Sequence, residues 1–169
     1  PKIGKEFSDQ TLKVAIEEKV PAIVLVGDGA EAYTEQAKKA GIKVLLRGSP
    51  MNVDVARRAG KAGVDCVIAV GFEGGGHVGA DRLPTFVLVP QVVDAVKIPV
   101  VAGGGIVDGR GMAAALALGA EGIYMGTRFM ATKECPTHDK VKESILHATD
   151  TSTAVCTGLY GVLRGPKNP

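Results

Sequence analysis

Aromatic side chains are scarce, at 4% of the 169 residues with no tryptophan. A core without them rests on small and branched aliphatics. Hydrophobic residues make up 46% of the chain, alongside 23 glycines. That pairing suits an α/β protein of parallel strands and tight turns. Cysteine is scarce too: Cys66, Cys135 and Cys156 are odd in number and scattered. They show neither metal-ligand spacing nor a disulfide framework, so no metal site is expected and a reducing, cytoplasmic setting is. Charge of one sign is also lacking, because 20 Lys and Arg against 18 Asp and Glu leave a net +2. Neither nucleic acid nor an acidic membrane surface is therefore expected as a partner. No apolar run approaches the length of a membrane span, and no secretory signal is visible. The length suits one domain.

What the chain has in abundance is glycine at regular punctuation points. The stretch 98–128 is the most informative. Pro99 opens a short apolar run, Val100, Val101 and Ala102, which reads as a buried parallel strand. Gly103, Gly104 and Gly105 follow at its C-terminal end, where bare amides are open to a ligand. Asp108 is a helix N-cap, 112–118 is a strong helix former, and Gly119 stops it. The next strand ends at Tyr124 and Met125, and Gly126 and Thr127 supply another open amide and a hydroxyl. Two such loops on one edge of a parallel sheet form a phosphate grip. The bland alternative for the triplet is tight strand-to-helix packing; its pairing with the Gly126 loop favours phosphate. Arg128 either reaches that phosphate or forms an ion pair with a helix, whereas Arg110, inside a first helical turn, is structural.

The same cadence recurs along the chain. Gly41, Gly63 and Gly119 each stand between a helix and a strand, and Pro21 and Pro99 each open a strand. We expect an amphipathic helix over 2–19 with Ser8 as N-cap and helices over 31–40, 53–62 (capped by Asn52), 86–96 and 138–148. Strands are expected at 22–26, 43–46, 65–70, 98–102 and 121–125. The first strand should end at Gly27-Asp28-Gly29. These are βα units with ligand-facing loops at the strand ends. The segment 71–84 reads as a loop, and the tail, 150–169, as an aperiodic stretch that wraps the surface or meets a partner.

The loop 71–79, Gly-Phe-Glu-Gly-Gly-Gly-His-Val-Gly, lies at the sheet edge where α/β proteins place ligands. A histidine among glycines is sterically accessible, and an imidazole is able to take a proton from carbon at neutral pH. Alone, His77 would read as a loop residue capping a carbonyl. Between two glycine loops on the ligand edge it reads as an active-site base. Glu73 either works as an acid or base or neutralises the loop. His138 and His147 belong to a solvated helix face, and Cys135 has no paired base.

At these residues the sequence resembles a known family. The loop 74–79, the helix 88–96, the segment 98–111 and the segment 119–132 together resemble the nitronate monooxygenases, which include the flavin-dependent enoyl-ACP reductase of bacterial fatty-acid synthesis. The resemblance implies a (β/α)8 barrel with FMN at the C-terminal ends of its strands. Gly103, Gly104, Gly105, Tyr124, Met125, Gly126 and Thr127 would hold the FMN phosphate. Val70, Gly75 and Gly76 would lie along the flavin, and His77 would be the catalytic residue above it. The implied substrate is a nitronate or nitroalkane with dioxygen or, alternatively, an enoyl thioester with NAD(P)H as reductant. A non-catalytic phosphate-binding module is the reading from a different class. The family's N-terminal strands have no counterpart here, and a full barrel needs about 250 residues. Residues 1–169 are therefore expected to be the C-terminal part of one FMN-binding barrel domain: a partial barrel of about five βα units, completed by further chain or by a partner, with homodimerisation through the exposed edge as one route.

Overall fold

The computed structural model describes residues 2–27, 29–49, 51–158 and 161–167, with side chains from residue 6 onward. Asp28, expected at the end of the first strand, lies outside the described residues. Five strands form one parallel sheet in the order β1 (Ala22–Val26), β2 (Lys43–Arg47), β3 (Cys66–Val70), β5 (Val100–Gly103), β6 (Gly122–Tyr124). All five coincide with the expected strands to within two residues.

α1 (Lys2–Glu17) precedes the strands, and α2 (Thr34–Lys39), α3 (Val53–Lys61), α4 (Thr85–Ala95) and α5 (Gly109–Ala117) lie between them in sequence. Caps hold where a short polar side chain precedes the helix. Asn52 Oδ1 accepts from Val55 N at 3.0 Å, and Asp108 Oδ1 accepts from Arg110 N at 3.0 Å and Gly111 N at 3.3 Å. Arg110 also ion-pairs with Asp108 at 2.6 Å, the structural role expected of it. Two expectations fail locally. Ser8 sits inside α1 and is no cap, and the helix expected over 31–40 begins as a 3₁₀ turn, Ala30–Tyr33, before α2.

The two faces of the sheet differ. One buries Val44, Leu46, Val67, Ala69, Val100 and Ala102 against Ala37, Val55, Ala59, Leu88 and Val92 of the helices. Apolar strands with small helix residues opposite give close layer packing, and this is where the core sits. The other face carries the in-register row Val26, Arg47, Ile68, Val101, Gly122 and, at the C-terminal end, Val70, Gly103, Tyr124. Val24 and Val26 on this face are 45% and 56% exposed, so it is open at the β1 edge. The arrangement is an arc of a (β/α)8 barrel.

The remainder departs from expectation. The segment 71–84 is not all loop: β4 (Gly76–Val78) lies within it. The tail is not aperiodic either. β7 (Thr153–Gly158) and β8 (Gly161–Pro166) form an antiparallel hairpin, and β8 pairs with β4 to make a second, three-stranded sheet in the order β4-β8-β7. Before it come two helices, α6 (Thr127–Met130), which the sequence did not suggest, and α7 (Asp139–Leu146). His138 caps α7 through Nδ1, and His147 Nδ1 lies 2.8 Å from Glu143 O; both histidines are exposed.

Candidate functional site

The C-terminal ends of β3, β5 and β6 converge. Their register places Val70, Gly103 and Tyr124 side by side on the open face. Gly103 sits between them: a Cβ there would lie 3.1 Å from both Tyr124 O and a Val70 methyl. Beyond that row the glycine loop turns at Gly104 (φ +95°) and Gly105 (φ +71°), a conformation that costs an L side chain strain. At Gly104 a Cβ would also fall 2.9 Å from Gly71 O and 3.0 Å from Thr85 Oγ1. Bare backbone is required by conformation and by space alike.

Thr85 fastens the two loops. This residue is 5% exposed, and its hydroxyl lies 2.9 Å from Gly104 O, 3.2 Å from Gly103 O and 2.9 Å from Glu73 Oε2. Its amide donates to both Glu73 carboxylate oxygens, at 2.9 and 3.1 Å. Glu73 therefore caps the first turn of α4, where the helix dipole favours negative charge. Beside the two roles open to Glu73 in the sequence, acid or base and neutralising the loop, the structure shows a third: its carboxylate fastens the loop to the start of α4. Its negative charge is turned onto α4, although its Cβ comes within 3.1 Å of a Cβ at Gly105.

The third loop closes on the first. A Cβ at Gly75 would lie 3.8 Å from Thr127 Oγ1, so the Gly74–Gly76 turn and the start of α6 face each other. Gly75, Gly76, Gly105, Gly126 and Thr127 are all exposed here, and the amides of Gly104 and Gly105 donate to no group among the described residues. Tyr124 is 41% exposed on the open face. Met125 packs its side chain against the core and offers the loop only its backbone. His77 is exposed on β4, and its ring caps no carbonyl among the described residues. Arg128 is exposed and makes no ion pair among the described residues.

This cradle fits a phosphate monoester. The open amides of Gly104 and Gly105 and the exposed Thr127 hydroxyl suit an anion of that size, while the crowding at Gly103 and Gly104 comes from the protein's own backbone and Thr85 and is the tight packing of the alternative reading. Elsewhere, Cys135 Sγ lies 3.1 Å from the Thr137 hydroxyl, whose hydrogen bond holds the thiol below its usual range; the partner is a hydroxyl, not a base. Burial pushes the Cys66 thiol up. No three His, Cys, Asp or Glu side chains cluster as metal ligands among the described residues.

Two structural residues escaped the sequence. Thr85 had a weak signal, a hydroxyl residue following Pro84 at the head of an apolar helix. Arg164, whose Nη1 donates to Glu73 O at 2.8 Å across 91 positions, had none.

An arc of parallel strands with phosphate-type loops at the C-terminal ends and a histidine beside them defines a class of barrel protein. The nitronate monooxygenase family model matches residues 2–165, and the chain belongs to that family. A probable nitronate monooxygenase of Staphylococcus aureus is 42% identical over 147 residues, covering 82% of this chain and 41% of its own. The structure of FabK from Thermotoga maritima superposes with a TM-score of 0.90 at 44% identity, covering 95% of this chain and 51% of that one. Nitroalkane oxidase from Streptomyces ansochromogenes gives a TM-score of 0.83 at 31% identity, covering 95% and 49%. The chain thus spans about half the length of these relatives, or less.

Proposed function

We propose that this chain forms the phosphate-gripping and histidine-bearing side of an FMN-dependent oxidoreductase that oxidises nitronates or nitroalkanes. The observation that carries the reading is the convergence of three loops, 71–79, 103–105 and 126–127, with His77 exposed on the first. Gly103, Gly104, Gly105, Gly126 and Thr127 would hold the FMN phosphate. Val70, Gly75, Gly76 and Tyr124 would border the ring system. When bound, FMN supplies the electron chemistry. The chain's own contribution is placement and proton handling: His77 would take the α-proton of a nitroalkane or hold a nitronate oxygen through its ring N–H.

A second reading rests on a specific comparison. The likeness to FabK, an enoyl-ACP reductase II, exceeds that to the nitroalkane oxidase in both identity and superposition. In that reading NAD(P)H is the reductant and an enoyl thioester the substrate. Anaerobic mixing of the flavin-loaded protein with each reagent separates the two. Bleaching of the visible flavin band by an alkyl nitronate but not by NAD(P)H supports the first; the opposite result replaces it with the second. Bleaching by neither reagent leaves a non-catalytic phosphate-binding module.

The role of His77 has its own test. With His77→Ala, turnover of a neutral nitroalkane should fall on the order of 100- to 10,000-fold, the span of general-base contributions. A preformed nitronate needs no proton removed and should lose much less. Equal turnover of wild type and variant on the nitroalkane would remove the assignment.

A further inference from the structure

His77 stands on a strand that the barrel sheet does not hold. Among the described residues β4 pairs only with β8, in the register Gly76↔Arg164, His77↔Leu163, Val78↔Val162. The imidazole is exposed, so packing does not hold it, and its reach is set first by where the β4 backbone lies. Arg164, opposite Gly76, adds a side-chain link from the hairpin to the loop before β4, beside the β4–β8 backbone pairing. Its Nη1 donates to Glu73 O at 2.8 Å and its Nη2 to Thr153 Oγ1 at 3.0 Å, so the fork spans from β7 to the loop before β4. The Glu73 carboxylate binds the Thr85 amide and hydroxyl, and the Thr85 hydroxyl lies against the carbonyls of Gly103 and Gly104. A continuous set of contacts therefore runs from the hairpin through Arg164, Glu73 and Thr85 to the glycine loop.

We infer that Arg164 is a positioning residue for His77: by clamping the Glu73 carbonyl from β8, it fixes the 73–77 turn relative to the 103–105 loop and so sets where the imidazole stands. The physical case is geometric. A planar guanidinium with two donors on two different segments fixes their separation and angle, which a single flexible ammonium does not. Glu73 is joined to β4 through Gly74, which is buried with its amide donating to Gly71 O at 3.0 Å, and Gly75, which is exposed and has the backbone freedom of glycine. Among the described residues the hydrogen bonds of Arg164 go to Glu73 O and Thr153 Oγ1, so its route to the site is this turn. Its kinetic consequence rests on the proposed function; the turn's dependence on it does not.

Three measurements on the flavin-loaded protein test this with Arg164→Ala and Arg164→Lys. Amide exchange in a peptide covering 71–79 should speed up on the order of tenfold in Arg164→Ala and less in Arg164→Lys. FMN affinity should stay within about threefold, because the phosphate amides are untouched. The kcat for a nitroalkane should fall ~10- to 100-fold, as expected for misplacement of a reacting group by about an ångström, with partial recovery in Arg164→Lys. Unchanged exchange in 71–79 would overturn the clamp. Faster exchange with unchanged kcat would overturn its bearing on His77. A loss of FMN affinity as large as the loss of kcat would show general damage and also overturn it. If the wild-type protein turns over no nitroalkane, the proposed function fails; the exchange result still decides whether Arg164 holds the His77 turn.

Discussion

Gly104 is the position where one methyl group has most to break. Its φ of +95° is strained for any L side chain, and the new Cβ would press on Gly71 O at 2.9 Å and Thr85 Oγ1 at 3.0 Å. Gly104→Ala should cost about 1–3 kcal/mol by urea unfolding, through strain at a left-handed position, and weaken FMN binding as well. A variant that unfolds with the wild type would show that the loop relaxes freely. Asp65 makes a different point. Its Oδ2 accepts from Val44 N at 2.9 Å, and its Oδ1 meets Lys38 Nζ at 3.1 Å and Lys43 Nζ at 3.2 Å. The Val44 amide first, then the two ammonium groups, hold this carboxyl below the usual carboxylate range, against partial burial. Folding therefore favours the ionised form. Its contribution is complete above the unfolded value of about 4 and is lost as pH falls through the lower folded value. Asp65→Asn should cost about 1 kcal/mol at neutral pH. The wild-type and variant stabilities should converge as acid unfolding is approached; a gap that stays constant into acid would deny the carboxylate its role. The glycine triplet was legible because Gly103, Gly104 and Gly105 stand together at a strand end. The Thr85 fastener was not, since nothing local marks a threonine whose partners lie 12 and 19 positions away.

Elements with a repeating, one-sided environment were the legible ones. β2, β3 and β5 bury their helix-facing residues and read as apolar runs, and α3 announces its start through Asn52. That cap is worth testing: Asn52→Ala leaves the Val55 amide without its side-chain acceptor and should cost about 1 kcal/mol. Thermal unfolding checks the value, and Asn52→Asp, which keeps the acceptor, should recover most of it. The second sheet was hidden for the converse reason. Every residue of β7 is exposed, so it has no buried face to impose alternation. β4 is three residues long and begins with glycine, and its partner lies at the far end of the chain. Local patterning reports burial; where a strand is held by backbone pairing alone, no pattern exists to read. The Ser8 cap failed similarly, because packing of Leu12, Ala15 and Ile16 against the core sustains α1 through the serine.

At the scale of the whole molecule, the three glycine loops come from β3, β5 and β6, neighbours in one sheet, so a phosphate held there would be held by adjacent strand ends. The open face is another matter: both sheet edges, β1 and β6, are unpaired among the described residues, and Val24, Val26 and Tyr124 are exposed on it. An isoalloxazine laid there would touch protein on one side, and most of its stacking area would stay in water. FMN should therefore bind the 169-residue chain chiefly through its phosphate, with a Kd of roughly 0.1–1 mM, about 4–5.5 kcal/mol. Inorganic phosphate should compete for the same amides, and Gly104→Ala should weaken that binding further. Riboflavin, which has the ring but no phosphate, should not bind measurably. Fluorescence titration with the three ligands decides it. Tight stoichiometric FMN binding would mean that the open face closes over the ring, and riboflavin binding as well as FMN would mean that the glycine loops are not the anchor.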